Sequence, residues 1–254
     1  MRCLVTTAPS GDAAEARELV ARFGLHAEER GGRTLPQLDA AAGGAPVLVL
    51  GARRADLYQA NKCFRAGPGI AHLRVTRMLA GEEDPLVRAA SLGAGQRVLD
   101  ATLGLGGDAL VAAQAVGETG AVVGLEHSPV LAAFTLAGLR RVDEPVAPAA
   151  ARIEVRCADH RALLRELQAR SFEVVLLDPM FRAPLEAGPL FSLLREHADP
   201  ARLELADLRA AQRVARRGVL VKDAWPGREL HRLGLHPLPS RRLPRVVFGW
   251  AEAE

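Results

Sequence analysis

Four acids in this chain stand at the ends of apolar runs. Asp100 closes Val98-Leu99, Glu126 closes Ala121 to Leu125, Asp159 follows Ile153 to Cys157 by two positions, and Asp178 closes Phe172 to Leu177. Short, mostly apolar runs of this kind, alternating with helices, read as strands of a parallel sheet covered on both faces. In such a sheet the strand tips line one crevice, so the four carboxylates are expected to meet there. Between Asp100 and the helical run Ala109 to Ala113 lie Gly104, Gly106 and Gly107. Glycines let the backbone approach a ligand closely, and the free N–H groups of the helix start face it. The spacing Asp-x-x-x-Gly-x-Gly differs from the dinucleotide pattern Gly-x-Gly-x-x-Gly. A carboxylate at its head repels a pyrophosphate and suits a cationic or amine-bearing ligand. Glu126, at the tip of the next strand, is placed to accept hydrogen bonds from both hydroxyls of a ribose.

Positioning these groups takes an α/β architecture with a mostly parallel, doubly wound sheet. The predicted strands are Val98 to Asp100, Ala121 to Glu126, Ile153 to Cys157, Phe172 to Leu177 and Gly218 to Lys222, with helices between them. Ser128-Pro129 supplies a cap and first turn for one helix, and another is predicted near Leu203 to Ala215. Arg245 to Trp250 is predicted as an antiparallel edge strand at the C-terminal end. The first part of the chain reads as a small α/β domain: a strand at Cys3 to Val5, a helix over Ala13 to Phe23 stopped by Gly24, a helix over Leu35 to Ala42 and a strand over Val47 to Leu50. Gly67-Pro68-Gly69 then breaks the chain before a helix over Ile70 to Leu79. The expected division is therefore 1–69 and 70–254.

The chain has 254 residues, 49% of them hydrophobic, and a formal net charge of +3. No uninterrupted apolar window is long enough to span a membrane, and no charged-then-apolar leader opens the sequence, so a soluble, cytoplasmic protein with no membrane partner is expected. Cys3, Cys63 and Cys157 are odd in number and widely spaced, which speaks against disulfides and against a metal site. Charge is concentrated between Arg53 and Arg77, where Arg53, Arg54, Lys62, Arg65, Arg74 and Arg77 face a single acid, Asp56. With Tyr58 and Phe64 interleaved, this basic stretch suits a phosphate backbone with bases to stack on, and RNA is the expected macromolecular partner. A solvated face balanced by acids elsewhere is the plainer reading.

Taken together, Asp100 through Gly106, Glu126, Asp159 and Asp178-Pro179-Met180-Phe181 resemble the motifs of the class I S-adenosylmethionine-dependent methyltransferases, which are Rossmann-like. The wording Asp-Ala-Thr-x-Gly-Leu-Gly-x-Asp, paired with Asp-Pro-Met-Phe, is more narrowly similar to the RsmJ group, whose members methylate the exocyclic amine of a guanine in small-subunit ribosomal RNA. The resemblance covers about residues 70–254. It implies S-adenosyl-L-methionine as cofactor, held by Asp100, Thr102, Gly104, Gly106, Gly107, Asp108, Glu126, His127, Ala158, Asp159 and Asp178. It also implies Asp178, Pro179 and Phe181 as the catalytic set, the first two accepting the amine protons and the third stacking on the base. Gly107 and Arg182 depart from that group, where Arg and Pro stand. The chain is thus expected to be a divergent branch, similar to uncharacterised methyltransferase-like proteins of Gram-positive bacteria.

Three other readings remain open to the sequence. A small-molecule or protein-amine methyltransferase would leave the basic stretch incidental. A non-catalytic RNA-binding protein with a methyltransferase fold would not need Asp100, Glu126 and Asp178 intact. A nicotinamide-dependent dehydrogenase fits neither the glycine spacing nor Asp-Pro-Met-Phe. Cys157 lies inside its strand, which disfavours a thiol nucleophile, and His127 and His160 read as cap or surface residues.

Overall fold

Strand order explains why the acids meet. In the computed structural model, which describes residues 3–178, 196–197, 201–239 and 245–254, a six-stranded sheet runs β11-β10-β9-β6-β7-β8. Its members are β6 (Arg97–Asp100), β7 (Ala121–Glu126), β8 (Ile153–Cys157), β9 (Phe172–Leu177), β10 (Ala215–Ala224) and β11 (Val246–Glu252). All neighbours are parallel except β10 and β11. From β6 the chain winds outward to β7 and β8, then returns to lay β9 on the other side. The order therefore reverses at the tip of β6, and a doubly wound sheet opens its ligand crevice at that switch point. Val98, Leu99, Val174, Val175 and Leu177 are almost completely buried, as expected for strands covered on both faces.

A second, five-stranded sheet holds the first part of the chain in the order β2-β1-β3-β4-β5: β1 (Leu4–Thr7), β2 (His26–Ala27), β3 (Val47–Leu50), β4 (Ala55–Gln59) and β5 (Lys62–Arg65). Helix α1 (Ala13–Phe23) starts where the Asp12 side chain accepts from the Ala14 amide at 2.7 Å and stops at the left-handed Gly24. Helix α2 (Leu35–Ala42) matches its predicted range. The basic stretch, for which the sequence predicts no strands, is partly paired. Much of it is the β4–β5 hairpin, in which Tyr58 pairs across to Cys63 and Leu57 to Phe64. Phe64 is 3% exposed, within the core, and Tyr58 packs against the cluster of Leu4, Leu38, Val47 and Val49. Phe64 is accordingly no stacking platform for a base.

Helix α3 (Ile70–Leu79) follows the glycine break, and α4 (Pro85–Ala90) is capped by Asp84, whose carboxylate accepts from the Leu86 amide at 2.9 Å. Helix α5 (Gly107–Val116) leaves the glycine loop. Helix α6 (Pro129–Leu139) is apolar around its whole circumference, and every residue from Val130 to Leu139 is buried. A helix of that kind must be covered on all sides. It packs on β7 and β8 on one side and on α1 and β4 on the other, so one hydrophobic core runs through both sheets. Helix α7 (Ala147–Ala150) leads into β8, and α8 (His160–Glu166) follows it. The helix Leu205–Val214 ends before Ala215, and β10 is longer than its apolar run, reaching back through a bulge between Ala215 and Gly218 and forward where Asp223 and Ala224 pair with Val247 and Val246. Among the described residues no helix is long and apolar enough to cross a membrane.

Candidate active site

The loop after β6 is stitched to both neighbouring strands. The Ala101 amide donates to Leu176 O at 3.0 Å and the Leu103 amide to Leu125 O at 2.8 Å. Gly104 and Gly106 take φ values of 51° and 76°, which glycine adopts without strain. A Cβ on Gly106 would lie 3.2 Å from the Thr135 methyl on α6. Thr135 Oγ1 in turn donates to Gly104 O at 2.7 Å. Gly107 is already helical, so of the three glycines only the first two supply left-handed backbone.

Around this loop the acids take different partners. Asp100 is 2% exposed and accepts from the Thr102 amide at 3.1 Å. Burial, with the charge of Asp108 adding to it, pushes its carboxyl up to about 8. Glu126 accepts from the Gly104 amide on one oxygen, at 3.0 Å, and from the Ser128 amide on the other, at 2.8 Å. Its burial pushes it up to about 7 against those two hydrogen bonds. Asp178 is fixed through its own amide, which donates to Thr102 Oγ1 at 2.6 Å. Its carboxyl is raised mainly by burial. Asp159 lies one strand farther out, where it caps α8 by accepting from the Arg161 amide at 2.9 Å. Its neighbour Ala158 is tied to β7 through Glu126 O at 3.0 Å. His127 is exposed beyond the tip of β7.

The remaining groups form a chain of alternating charge. Arg74, from α3, clasps Asp84 with Nε and one terminal nitrogen, both at 2.8 Å, and reaches Asp108 with the other at 2.6 Å. Lys222 Nζ lies 2.7 Å from the second Asp108 oxygen and 2.6 Å from Asp178 Oδ2. Two carboxylates hold Arg74 charged. This placement corrects the expectation that Arg74 offers its charge to RNA: its side chain is turned inward and consumed by two aspartates. Arg54 and Arg65 are likewise drawn to the buried Asp56, at 3.3 and 3.1 Å. Arg53, Lys62 and Arg77 are exposed. Pro179 and Phe181 lie outside the described residues. Lys222 was not among the residues the sequence singled out. The register pairs Val221 with Leu177, so Lys222 stands beside Asp178, a relation that only strand pairing reveals.

The crevice thus gathers the carboxyls of Asp100, Asp108, Glu126 and Asp178 against two cations, Arg74 and Lys222. Burial raises both Asp100 and Glu126, and at Asp100 the charges of Asp108 and Asp178 add to it; a positively charged ligand would favour their ionised forms. With backbone N–H groups at the start of α5 and a loop in which Gly104 and Gly106 leave the backbone uncovered, the site fits a ligand bearing a sulfonium, an ammonium and a ribose.

A family described as putative SAM-dependent methyltransferases matches residues 68–187. The chain belongs to the class I S-adenosylmethionine-dependent methyltransferases, and S-adenosyl-L-methionine is its cofactor. Among curated proteins it is 38% identical over 200 residues to the uncharacterized protein YpiP of Bacillus subtilis, spanning 77% of each chain. It is also 38% identical over 178 residues to ribosomal RNA small subunit methyltransferase J of Alkalilimnicola ehrlichii, spanning 65% of this chain and 66% of that one. In fold it is similar to a SAM-dependent methyltransferase from Neisseria gonorrhoeae, with a TM-score of 0.66 at 22% identity over 98% of this chain and 95% of the other.

Proposed function

We propose that this enzyme methylates the exocyclic amine of a nucleobase, guanine in ribosomal RNA. When bound, S-adenosylmethionine supplies a methyl group on a positively charged sulfur, already activated for displacement. Asp100, Thr102, Gly104, Gly106, Gly107 and Asp108 would hold its amino-acid end, and Glu126, His127, Ala158 and Asp159 its adenosine. What remains for the protein is the acceptor. An exocyclic amine shares its lone pair with the ring and is a poor nucleophile until acceptors take hold of its N–H groups. Asp178 carries this reading. Its amide is pinned by Thr102 and one carboxylate oxygen by Lys222, which leaves Oδ1 with no partner among the described residues. That oxygen can accept an N–H and offset the charge that develops as the methyl arrives.

The Pro179 carbonyl and the Phe181 ring would supply a second acceptor and a stacking face, and a paired target base would have to leave its helix to reach them. The RNA partner draws support from the methyltransferase J relatives and from the exposed Arg53, Lys62 and Arg77. The experiment is methyl transfer from S-adenosylmethionine to small-subunit ribosomal RNA by Asp178→Ala and Asp178→Asn, beside calorimetric titration of the cofactor. Transfer should fall by about 100-fold or more, with cofactor affinity changed much less. Equal loss of both would make Asp178 a cofactor ligand only, and efficient transfer to a protein or metabolite amine in place of RNA would overturn the substrate.

A further inference from the structure

Lys222 is one of only two lysines in a chain otherwise supplied with arginine, and it enters the centre of the site from β10. Its ammonium touches Asp108 at 2.7 Å and Asp178 at 2.6 Å, with its side chain only 21% exposed. Asp108 cannot turn away, because its other oxygen is held by Arg74, which is itself clamped on Asp84. Lysine is thus anchored on a rigid base and presents its remaining charge to Asp178. The consequence falls on the Asp178 carboxyl group, where Oδ2 is occupied and Oδ1 has no partner among the described residues.

We infer that Lys222 is a positioning residue that keeps Asp178 ionised and turns its Oδ1 toward the substrate amine. This rests on the reading of Asp178 as the amine's acceptor. The need is chemical: a protonated carboxyl would present a donor to an amine N–H where an acceptor is required. Burial and the charge of Asp108 both drive Asp178 toward that protonated form, while Lys222 and, more distantly, Arg74 oppose it. Asp100, a further acid of the cluster, is itself pushed up to about 8 and adds little repulsion near pH 7. Lys222 is not the base. Two aspartates outweigh the burial that would discharge it, so its ammonium stays protonated across the working range of pH. Arginine in its place would keep the charge, whereas glutamine would keep a hydrogen bond without the charge.

The test compares Lys222→Met, Lys222→Gln and Lys222→Arg in the full chain. Aspartate carboxyl carbons are labelled with ¹³C, the Asp178 signal is assigned by its loss in Asp178→Asn, and its titration midpoint is followed. In parallel, S-adenosylmethionine affinity is measured by calorimetry and the pH profile of transfer to small-subunit ribosomal RNA is recorded. In Lys222→Met and Lys222→Gln the Asp178 midpoint should rise, and the acid limb of kcat should rise with it. At a fixed pH, kcat should then fall roughly tenfold for each unit by which that midpoint passes above it, while KM and cofactor affinity stay within about threefold. Lys222→Arg should restore the midpoint and most of kcat. An unchanged Asp178 midpoint in the uncharged variants overturns the inference. Should Lys222→Met fail to fold, Lys222→Gln decides. If the wild-type protein transfers no methyl to RNA, the proposed substrate fails by itself, and the carboxyl titration still decides the role of Lys222.

Discussion

Asp100 shows what a ligand site costs at the level of one residue. A carboxyl with an ordinary value near 3.8 is held at about 8 because it is buried beside Asp108 and receives a single backbone N–H. Below about pH 4 both the folded and the unfolded chain carry its proton. As pH rises toward 8 the unfolded chain releases the proton and the folded chain keeps it, so stability drains away through this window. Asp100→Asn removes the titration while keeping the shape. Relative to wild type, the variant without ligand should therefore gain stability with rising pH, by up to about 1.4 kcal/mol per pH unit, which is roughly 3 °C in Tm for a chain of this size. Thermal melts at pH 5.5, 7 and 8.5 check this. A difference that does not change with pH would mean that Asp100 is ionised throughout. Much of this site could be read in advance, since an acid ending an apolar run is visible in one dimension. Lys222 could not: its value lies in facing Asp178, 44 positions earlier, and Asp108, 114 positions earlier. Arg74 was misjudged for the same reason, because the sequence counts its charge but does not show the two aspartates that take it.

At the scale of elements, the central strands of the larger sheet were legible from their mostly apolar runs, and the edge strand β8 from Ile153 and Val155, buried between the exposed Glu154 and Arg156. The predicted bounds of β7, β8 and β9 coincide with those observed. The β4–β5 hairpin was not legible. Its buried positions Ala55, Leu57 and Phe64 are sparse among charges, and its turn uses Ala60 and Asn61 at positive φ, with no glycine to mark it. Helix α6 was legible only as apolar; what covers it was not. Its last turn is tight against the chain leaving β5, and a Cβ on Gly138 would come within 2.9 Å of the Gly67 nitrogen and 3.0 Å of the Ala66 Cβ. Backbone on the other side of that contact cannot swing away as a side chain would. Gly138→Ala should therefore destabilise the protein by about 1–3 kcal/mol, read as a lower urea midpoint with unchanged slope. A midpoint equal to wild type would show that the 66–67 segment yields freely.

Across the whole molecule, α6 decides whether the two sheets are independent. One flank covers β7 and β8, beneath the cofactor crevice, and the other covers α1 and β4 of the smaller sheet. Beside it Arg141, its side chain 7% exposed, grips Glu15 at 2.6 and 2.9 Å and Gly51 O at 2.8 Å. Lifting the smaller sheet away would uncover large α6 side chains at about 1.5–3 kcal/mol each and strand the charge of Arg141. Such a cost exceeds what a small sheet gains by unfolding alone, so the protein should unfold as one unit despite its two sheets. The tryptophans allow a clean reading, because Trp225 and Trp250 both belong to the region of β10 and β11 and report only the larger sheet. Urea transitions followed by tryptophan fluorescence and by hydrogen exchange at the amides of Val47–Leu50 should coincide. Earlier loss of protection in β3, with fluorescence unchanged, would make residues 1–69 a separately folding domain. The exposed Arg53 and Lys62 would then sit on a module able to move relative to Asp178; with coincident transitions they ride on the same rigid body as the crevice.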